Sequence, residues 1–492
     1  MTSSATASRW RWLAFAAAVA AAVMDLLDST IAQVAAPAIQ RDLGGSYALI
    51  EWITAAYTLA MAVGLLTGGR LGDLFGRKRM LLIGMVGFVA ASAACAAALT
   101  PGQLIAARAV QGAAGAVMLP QVFGLIRDLF SGAEIGKAFA VFSPVMGLSA
   151  MLGPVASGGL ISADILGTGW RMIFLVNLPV GALALLAGAR LLPSAPSRDT
   201  RTRLDLPGAA LAGTAMFLVV FPLVQGRALG WPLWLVAMLA AAAPVLAGFA
   251  WYQVRRQRAG ATPLIEPGIF ARRGYAPGVA FSVAFVGSMG GIVLVFNVFL
   301  QAGLGFSPWH SALTTAPWAA GAFVGSAASG MSMARLGRRV LHAGLVVEAA
   351  GLLALGAVLH QAGASVTTLD LLAPMIVGGI GMGMVFVPLF DIVMAGVEPV
   401  EMGSASGVLQ AVNSLSMALG VAGLGAVFFG LLHDTAGHAG AFVSAAQWTL
   451  LATVGLLACA FALGFGLPRR AREMTAPETI TEPALEMAGA GA

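Results

Sequence analysis

Two acids stand in a stretch that otherwise reads as the interior of a membrane. Ala16–Pro37 is AAAVAAAVMDLLDSTIAQVAAP, and the twelve residues Leu13–Met24 ahead of Asp25 are apolar without a break. A charged side chain near a bilayer centre costs about 2.5–3.5 kcal/mol, so an ionisable residue there is a functional candidate first. Asp25 and Asp28 are three apart and share one helix face. At 1.5 Å of rise per residue they lie about 18 and 22 Å beyond Leu13, inside a hydrocarbon core of about 30 Å. Such acids can carry protons or contact a substrate. The plain alternative is a permanent ion pair. Arg108 is the cation available in the first half, at a depth like that of Asp28, and one guanidinium does not satisfy two carboxylates. Arginine stays charged, so it can hold a nearby aspartate ionised and release it when helices shift. Glu348 lies about eight residues into a later apolar run with no basic residue near it in that run; a protonated, silent acid facing lipid is the alternative. Asp391, near the end of its run, reads as a gate or loop partner.

The elements that must position these groups are helices in a bilayer. The chain has 492 residues, 59% hydrophobic and 10% charged, against about 25% charged in soluble domains. Apolar runs of twenty or more recur and strand alternation does not, which gives helical spans. The 63 glycines suit close helix packing in lipid. Cys95 and Cys459 both sit in apolar runs and imply no disulfide framework. The net charge of +6 comes from residues between the runs, so no nucleic-acid face is expected. The five histidines sit at run ends or in an outer loop, and His433 with His438 makes a weak metal candidate; no metal and no cofactor is expected. Arg9 and Arg11 before an alanine-rich run resemble a secretory signal, but the apolar stretch passes Asp28 and a second run follows at once, so it reads as a first transmembrane helix.

Apolar runs fall near 13–36, 48–69, 80–99, 102–126, 138–161, 171–191, 206–225, 232–253, 275–301, 309–333, 340–360, 368–394, 403–431 and 445–467. The predicted fold is all-α and integral to the membrane, with 14 transmembrane helices and both termini on one side. Placing the N-terminus in the cytoplasm puts 23 of the 27 basic residues at cytoplasmic ends, leaving Arg41, Arg108, Arg171 and Arg227, a decisive positive-inside bias. An internal echo supports a parallel repeat: GRLGDLFGRKR (Gly69–Arg79) follows the second run and GMSMARLGRR (Gly330–Arg339) the tenth. The expected organisation is a cytoplasmic N-terminal tail over 1–12, a six-helix bundle over 13–192, a linker with two extra helices over 193–272, a second six-helix bundle over 273–467, and a disordered tail over 468–492. Parallel repeats place a substrate site at the midplane between halves.

Several of these stretches resemble one family. GRLGDLFGRKR is similar to the signature loop of the major facilitator superfamily, LIAARAVQGAAGA (Leu104–Ala116) to its fourth-helix motif, and GLSAMLGPVASGG (Gly147–Gly159) to the fifth-helix motif of its antiporters. LDSTIAQVAAPAI (Leu27–Ile39), WRMIFLVNLPVG (Trp170–Gly181) and QAGLGFSPWHSALTTAP (Gln301–Pro317) resemble its fourteen-helix drug:proton antiporter branch. Two departures stand out: Ala334 replaces the acid that Asp73 supplies in the first half, and Asn413 stands where the branch often has arginine.

The resemblance implies a proton-coupled antiporter that exports hydrophobic or cationic drug-like molecules. Asp28, Asp25, Arg108 and Glu348 are then the proton-coupling candidates. Gly69, Asp73, Gly76, Arg77, Lys78 and Asp128 form a cytoplasmic gate, with Asp73 as a state-dependent latch. Gly147, Gly153, Pro154 and Gly158 carry an antiporter kink in the fifth helix. Gln33, Tyr57, Phe296, Asn297, Gln301, Phe386, Phe390, Gln410 and Asn413 are candidates for the substrate cavity, although aromatics at helical spacing also serve as core. Expected partners are small drug-like molecules, protons and the lipid bilayer, with a monomer in a bacterial cytoplasmic (inner) membrane. A multi-pass membrane enzyme would need an HxxxxD, a DxD or a metal triad, and none is present. A proton-coupled facilitator or importer of a polar metabolite would want more polar and charged residues in the cavity.

Overall fold

Long apolar runs leave the backbone no partner but itself in lipid, and helices form accordingly. The computed structural model describes residues 2–130, 133–193, 204–226, 228–261, 263–272, 274–397, 402–432 and 439–469. Arg198, Arg201, Arg203, Arg227, Arg273, His433, His438 and the predicted tail from Arg470 lie outside them. The long helices are α1 (Thr2–Leu43), α2 (Ala48–Phe75), α3 (Arg77–Ala96), α4 (Pro101–Leu129), α5 (Ala133–Ala163), α6 (Asn177–Leu191), α7 (Leu206–Gln225), α8 (Leu233–Arg258), α9 (Tyr275–Val298), α10 (Pro308–Leu336), α11 (Arg339–Ala362), α12 (Thr368–Met394), α13 (Met402–Leu432) and α14 (Ala439–Gly464). Among the described residues, twelve helical segments are long and apolar enough to cross a membrane. The helices α5 and α10, of 31 and 29 residues, stand outside those twelve.

Three boundaries depart from the apolar pattern. Helix α1 begins well before Leu13, so 2–12 extend it rather than forming a separate tail, and it runs through Pro37 to Leu43. Proline costs a helix one hydrogen bond, which the packing of Ile31–Ile39 in the core absorbs here. The sixth run is broken at Val176 between a short helical turn, Met172–Leu175, and α6. Pro179 has no N–H to offer Leu175 O, the bond that would join the two pieces. The ninth run ends in one wide turn of π type, Phe299–Gly303.

Helix α4 packs against α2 and α3, and α1 against α5 and α6; further along the chain α12 packs against α10 and α11, and α9 against α13 and α14. The two sets meet where α2 touches α13 and α5 touches α10. A side chain on Gly112 would run into the backbone of Tyr57, so the bare glycine sets how closely α4 approaches α2. Helix α7 covers the α2–α13 junction, where Trp52, Ala55 and Ala56 meet Val220, Val224, Ala418 and Ala422. Helix α8 rests on α7, and only 11% of its apolar window is buried. That position explains why the inserted pair is so uniformly apolar.

Candidate functional site

The acids of α1 enclose a polar cluster inside the first set of helices. Arg108 is 1% exposed and Asp28 2%, and Arg108 Nη1 donates to Asp28 Oδ2 at 2.5 Å. Asp28 Oδ1 also accepts from Gln111 Nε2 at 2.9 Å and from Asn177 Nδ2 at 2.7 Å. The guanidinium makes two further bonds: Nε donates to Ile53 O at 3.0 Å and Nη1 also to Gln111 Oε1 at 2.7 Å. Ser92 Oγ accepts from Gln111 at 3.2 Å and Asn177 at 2.9 Å. Five helices contribute to the cluster, and two of them, α4 and α6, donate to the carboxylate.

Local structure explains the convergence. Thr100 caps α4 by accepting from Gln103 N, and Pro101 begins the helix where no N–H is needed. Arg108 and Gln111, three apart, then share one face of α4. Asn177 opens α6 just past the break at Val176, which brings its amide beside Asp28. Thr30 Oγ1 donates back to Leu26 O and Leu27 O, a pattern that tends to bend helices.

Asp25 is held separately. Tyr57 Oη donates to Asp25 Oδ1 at 2.5 Å, and the Arg108 guanidinium lies 4.3 Å from the Tyr57 ring centroid. The two acids therefore have different hydrogen-bond donors, with the tyrosine between them. Gly115 leaves the room for Asp25, since a Cβ there would meet Oδ1 at 2.6 Å.

The predicted cavity residues do not form one lining. Tyr57, Gln33, Phe296, Asn297 and Gln301 are all buried. Tyr57 is turned to Asp25, and Gln301 Nε2 donates to Val34 O at 2.8 Å. Asn297 is engaged with Val293 O and the Ser311 hydroxyl. Phe386 and Phe390, by contrast, are 53% and 45% exposed, and Gln410 is exposed with them. Asn413 is half-buried, and its Oδ1 has no hydrogen-bond partner among the described residues. The division follows which ends of the helices touch. Gln301–Val34, Tyr47 stacked on Phe429 at 4.8 Å, and Gly158 against Pro308 and Ala312 all join the two sets near the ends opposite the basic turns.

Glu348 is 1% exposed, on the face of α11 that meets Gly381 of α12, and its Oε2 has no hydrogen-bond partner among the described residues. It does not face lipid. Glu51 was not singled out by its sequence context, yet it is buried on α2 opposite Gly425 of α13. A lone acid beside an aromatic carries little signal in sequence.

At the turn after α2, Gly76 adopts φ +89°, open to glycine, and lets α3 begin at once. Arg77 then reaches Asp73 at 3.3 Å, Asp128 at 3.1 Å and Gly124 O at 2.7 Å. Lys78 donates to Leu192 O, just past α6, at 2.7 Å, and Arg70 donates to Pro263 O in the α8–α9 connection. Gly69 lies against Pro120. In α5, Gly147, Gly153, Pro154 and Gly158 lie in one unbroken helix. Gly153 is where α5 passes Thr30 of α1, with no space for a Cβ.

The inserted pair has its own polar joint. Asp205 caps α7 by accepting from Gly208 N at 3.0 Å and also accepts from Tyr252 Oη and Gln253 Nε2, both at 3.0 Å, with Arg256 at 3.4 Å. Burial alone would raise its pKa, but these donors outweigh burial and hold it below the usual carboxylate value.

Residues 17–421 match the Major Facilitator Superfamily. The chain is 45% identical over 427 residues to the "Probable actinorhodin transporter" of Streptomyces coelicolor, spanning 87% of this chain and 74% of that one. It is 37% identical over 430 residues to the "Puromycin resistance protein pur8" of Streptomyces alboniger, spanning 85% and 82%. Its fold is similar to the crystal structure of an auto-inhibited POT family peptide transporter, with a TM-score of 0.66 at 16% identity over 94% of this chain and 98% of that one. With helices that can cross a membrane many times and a match over most of its length, the chain belongs to the Major Facilitator Superfamily.

Proposed function

We propose that this protein is a fourteen-helix antiporter that exports hydrophobic or cationic drug-like compounds from the cytoplasm in exchange for protons. It works by alternating access between two six-helix bundles, α1–α6 and α9–α14, with α7 and α8 inserted between them. The termini are cytoplasmic, the membrane is the bacterial inner membrane, and the unit is a monomer without cofactor. The names of the relatives support the substrate class.

The observation that carries the coupling is the Asp28–Arg108 pair, sealed from solvent and held by Gln111 and Asn177. A proton arriving on Asp28 cancels the charge that balances Arg108. A buried guanidinium without its counter-charge is strongly destabilised, so the protonated protein favours a helix arrangement in which Arg108 finds another acceptor. The proton thus biases a two-state equilibrium by its different affinity for the two states. Contacts at the ends opposite the basic turns, with Phe386, Phe390 and Gln410 exposed, fit an inward-facing member of that pair of states.

The test is drug uptake into everted membrane vesicles with and without an imposed proton gradient. The expected result is uptake that requires the gradient and stops when it is collapsed. Drug uptake that ignores the gradient would overturn the proton coupling, and no drug uptake in either condition would favour the proton-coupled facilitator of a polar metabolite.

A further inference from the structure

The echo of the signature loop in the second half ends in a cavity of different chemistry. In the first half Arg77 is met by Asp73 and Asp128. In the second, Ala334 takes the place of Asp73, and a cavity of about 400 Å³ opens between the α10–α11 turn and the end of α14. It is lined by Arg335, Arg338, Arg339, Arg469 and Leu336. Among the described residues no acidic side chain lines it.

Arg338 is committed to the fold. Its Nη1 donates to Phe465 O and Leu467 O, both at 2.7 Å, and its backbone N–H donates to Arg469 O at 3.1 Å. These bonds fix one wall of the cavity. Arg335, Arg339 and Arg469 are exposed, and none is in an ion pair among the described residues. Guanidiniums gathered around one space repel each other, and an anion between them relieves that repulsion. Their planar forks match phosphate oxygens two at a time.

The surroundings select the kind of phosphate. The cavity sits at the ends of α10, α11 and α14, which the cytoplasmic placement of the basic turns would put at the level of headgroups. Leu336 is 48% exposed, Phe465 60%, and Met331, one turn before Arg335, 79%. An apolar flank beside a basic pocket suits a molecule with acyl chains and has no use for a free ion. Basic pockets between helices on the cytoplasmic side take acidic headgroups. We infer that this cavity binds the phosphate headgroup of an acidic phospholipid, of the phosphatidylglycerol or cardiolipin type, from the inner leaflet. The inference rests on the cytoplasmic placement of the basic turns and is independent of the transported substrate.

The full-length protein in detergent is titrated with cardiolipin, phosphatidylglycerol, phosphatidylethanolamine or inorganic phosphate, and thermal unfolding is followed together with bound lipid by native mass spectrometry. Acidic lipid is expected to raise Tm and remain bound, while phosphatidylethanolamine and millimolar phosphate do neither. In Arg335→Gln/Arg339→Gln the half-saturating acidic lipid should rise roughly thirtyfold, the equivalent of about 1 kcal/mol for each arginine. Arg469→Gln alone, a milder change, should raise it about fivefold on the same basis. Arg255→Gln/Arg258→Gln, an exposed basic pair at the end of α8, should leave it unchanged. Equal lipid binding in wild type and the Arg335/Arg339 variant overturns the site. Saturation by inorganic phosphate with no further effect of lipid overturns the lipid as its occupant.

Discussion

A carboxylate as deeply buried as Asp28 is tolerated only while its lone pairs are filled, and three side chains fill them. Asp28→Asn keeps the shape and should keep folding and surface expression, but an amide cannot take up the proton. Proton-driven efflux should be abolished; efflux at the wild-type rate against a gradient would remove Asp28 from the coupling. Asn177→Ala leaves the charge in place and removes one donor to it, which should cost about 1.5–3 kcal/mol, read as a lowered Tm with the Asp28–Arg108 pair still formed. The sequence makes the charged members legible because a charge in an apolar run is conspicuous. Gln111 and Asn177 lie inside the quoted stretches LIAARAVQGAAGA and WRMIFLVNLPVG, yet a neutral amide on a helix could as well bond to its own backbone. Their role depends on α4 and α6 meeting at α1, which no local pattern encodes. Tyr57 illustrates the same limit: its spacing suits a cavity lining, and only the approach of α2 to α1 turns its hydroxyl to Asp25.

Between helices, the signature turn separates two acids that share one arginine. Asp73 has a side chain 46% exposed, whereas that of Asp128 is 10% exposed. Exposed ion pairs contribute about 0–1 kcal/mol, so Asp73→Asn should leave stability and equilibrium drug binding nearly unchanged and slow turnover. Asp128→Asn should slow it further. A large loss of binding with turnover intact would contradict a gating role for either. Asp205 governs a different joint, between α7 and α8. Asp205→Ala removes an N-cap worth about 0.5–2 kcal/mol together with the acceptor for Tyr252, Gln253 and Arg256, and should lower Tm at neutral pH. Because the folded pKa is below the unfolded value, that stabilisation is full above about pH 4 and fades as pH falls through the lowered value, so the difference from wild type should shrink in acid. Helix positions were largely legible from the apolar runs. Their ends were less so: Pro37 reads as a stop, but core packing on both sides carries α1 past it.

Across the whole molecule, the arrangement of charge decides what energy an exchange can draw on. Which ends of the helices are closed was not legible in the sequence, because Gln301 meeting Val34 joins residues 267 apart. The separation of the acids is visible only in three dimensions as well: Arg108 pairs with Asp28, and Tyr57 serves Asp25. Two acids with separate donors offer two places for a proton. One charge crossing 100 mV is worth about 2.3 kcal/mol, or about fiftyfold in accumulation. Exchange of one proton for a neutral drug draws on that energy, and exchange of one proton for a monovalent cation moves no net charge and draws only on the pH difference. Two protons per cation restore the dependence on voltage. Cation export by the wild type is therefore expected to respond to membrane potential, and Asp25→Asn should export the same cation independently of it while Asp28 still couples. Proteoliposomes under potassium–valinomycin potentials at zero pH gradient give the measurement. Wild-type cation export that ignores the imposed potential would leave Asp25 as a substrate contact and Asp28 as the single proton carrier.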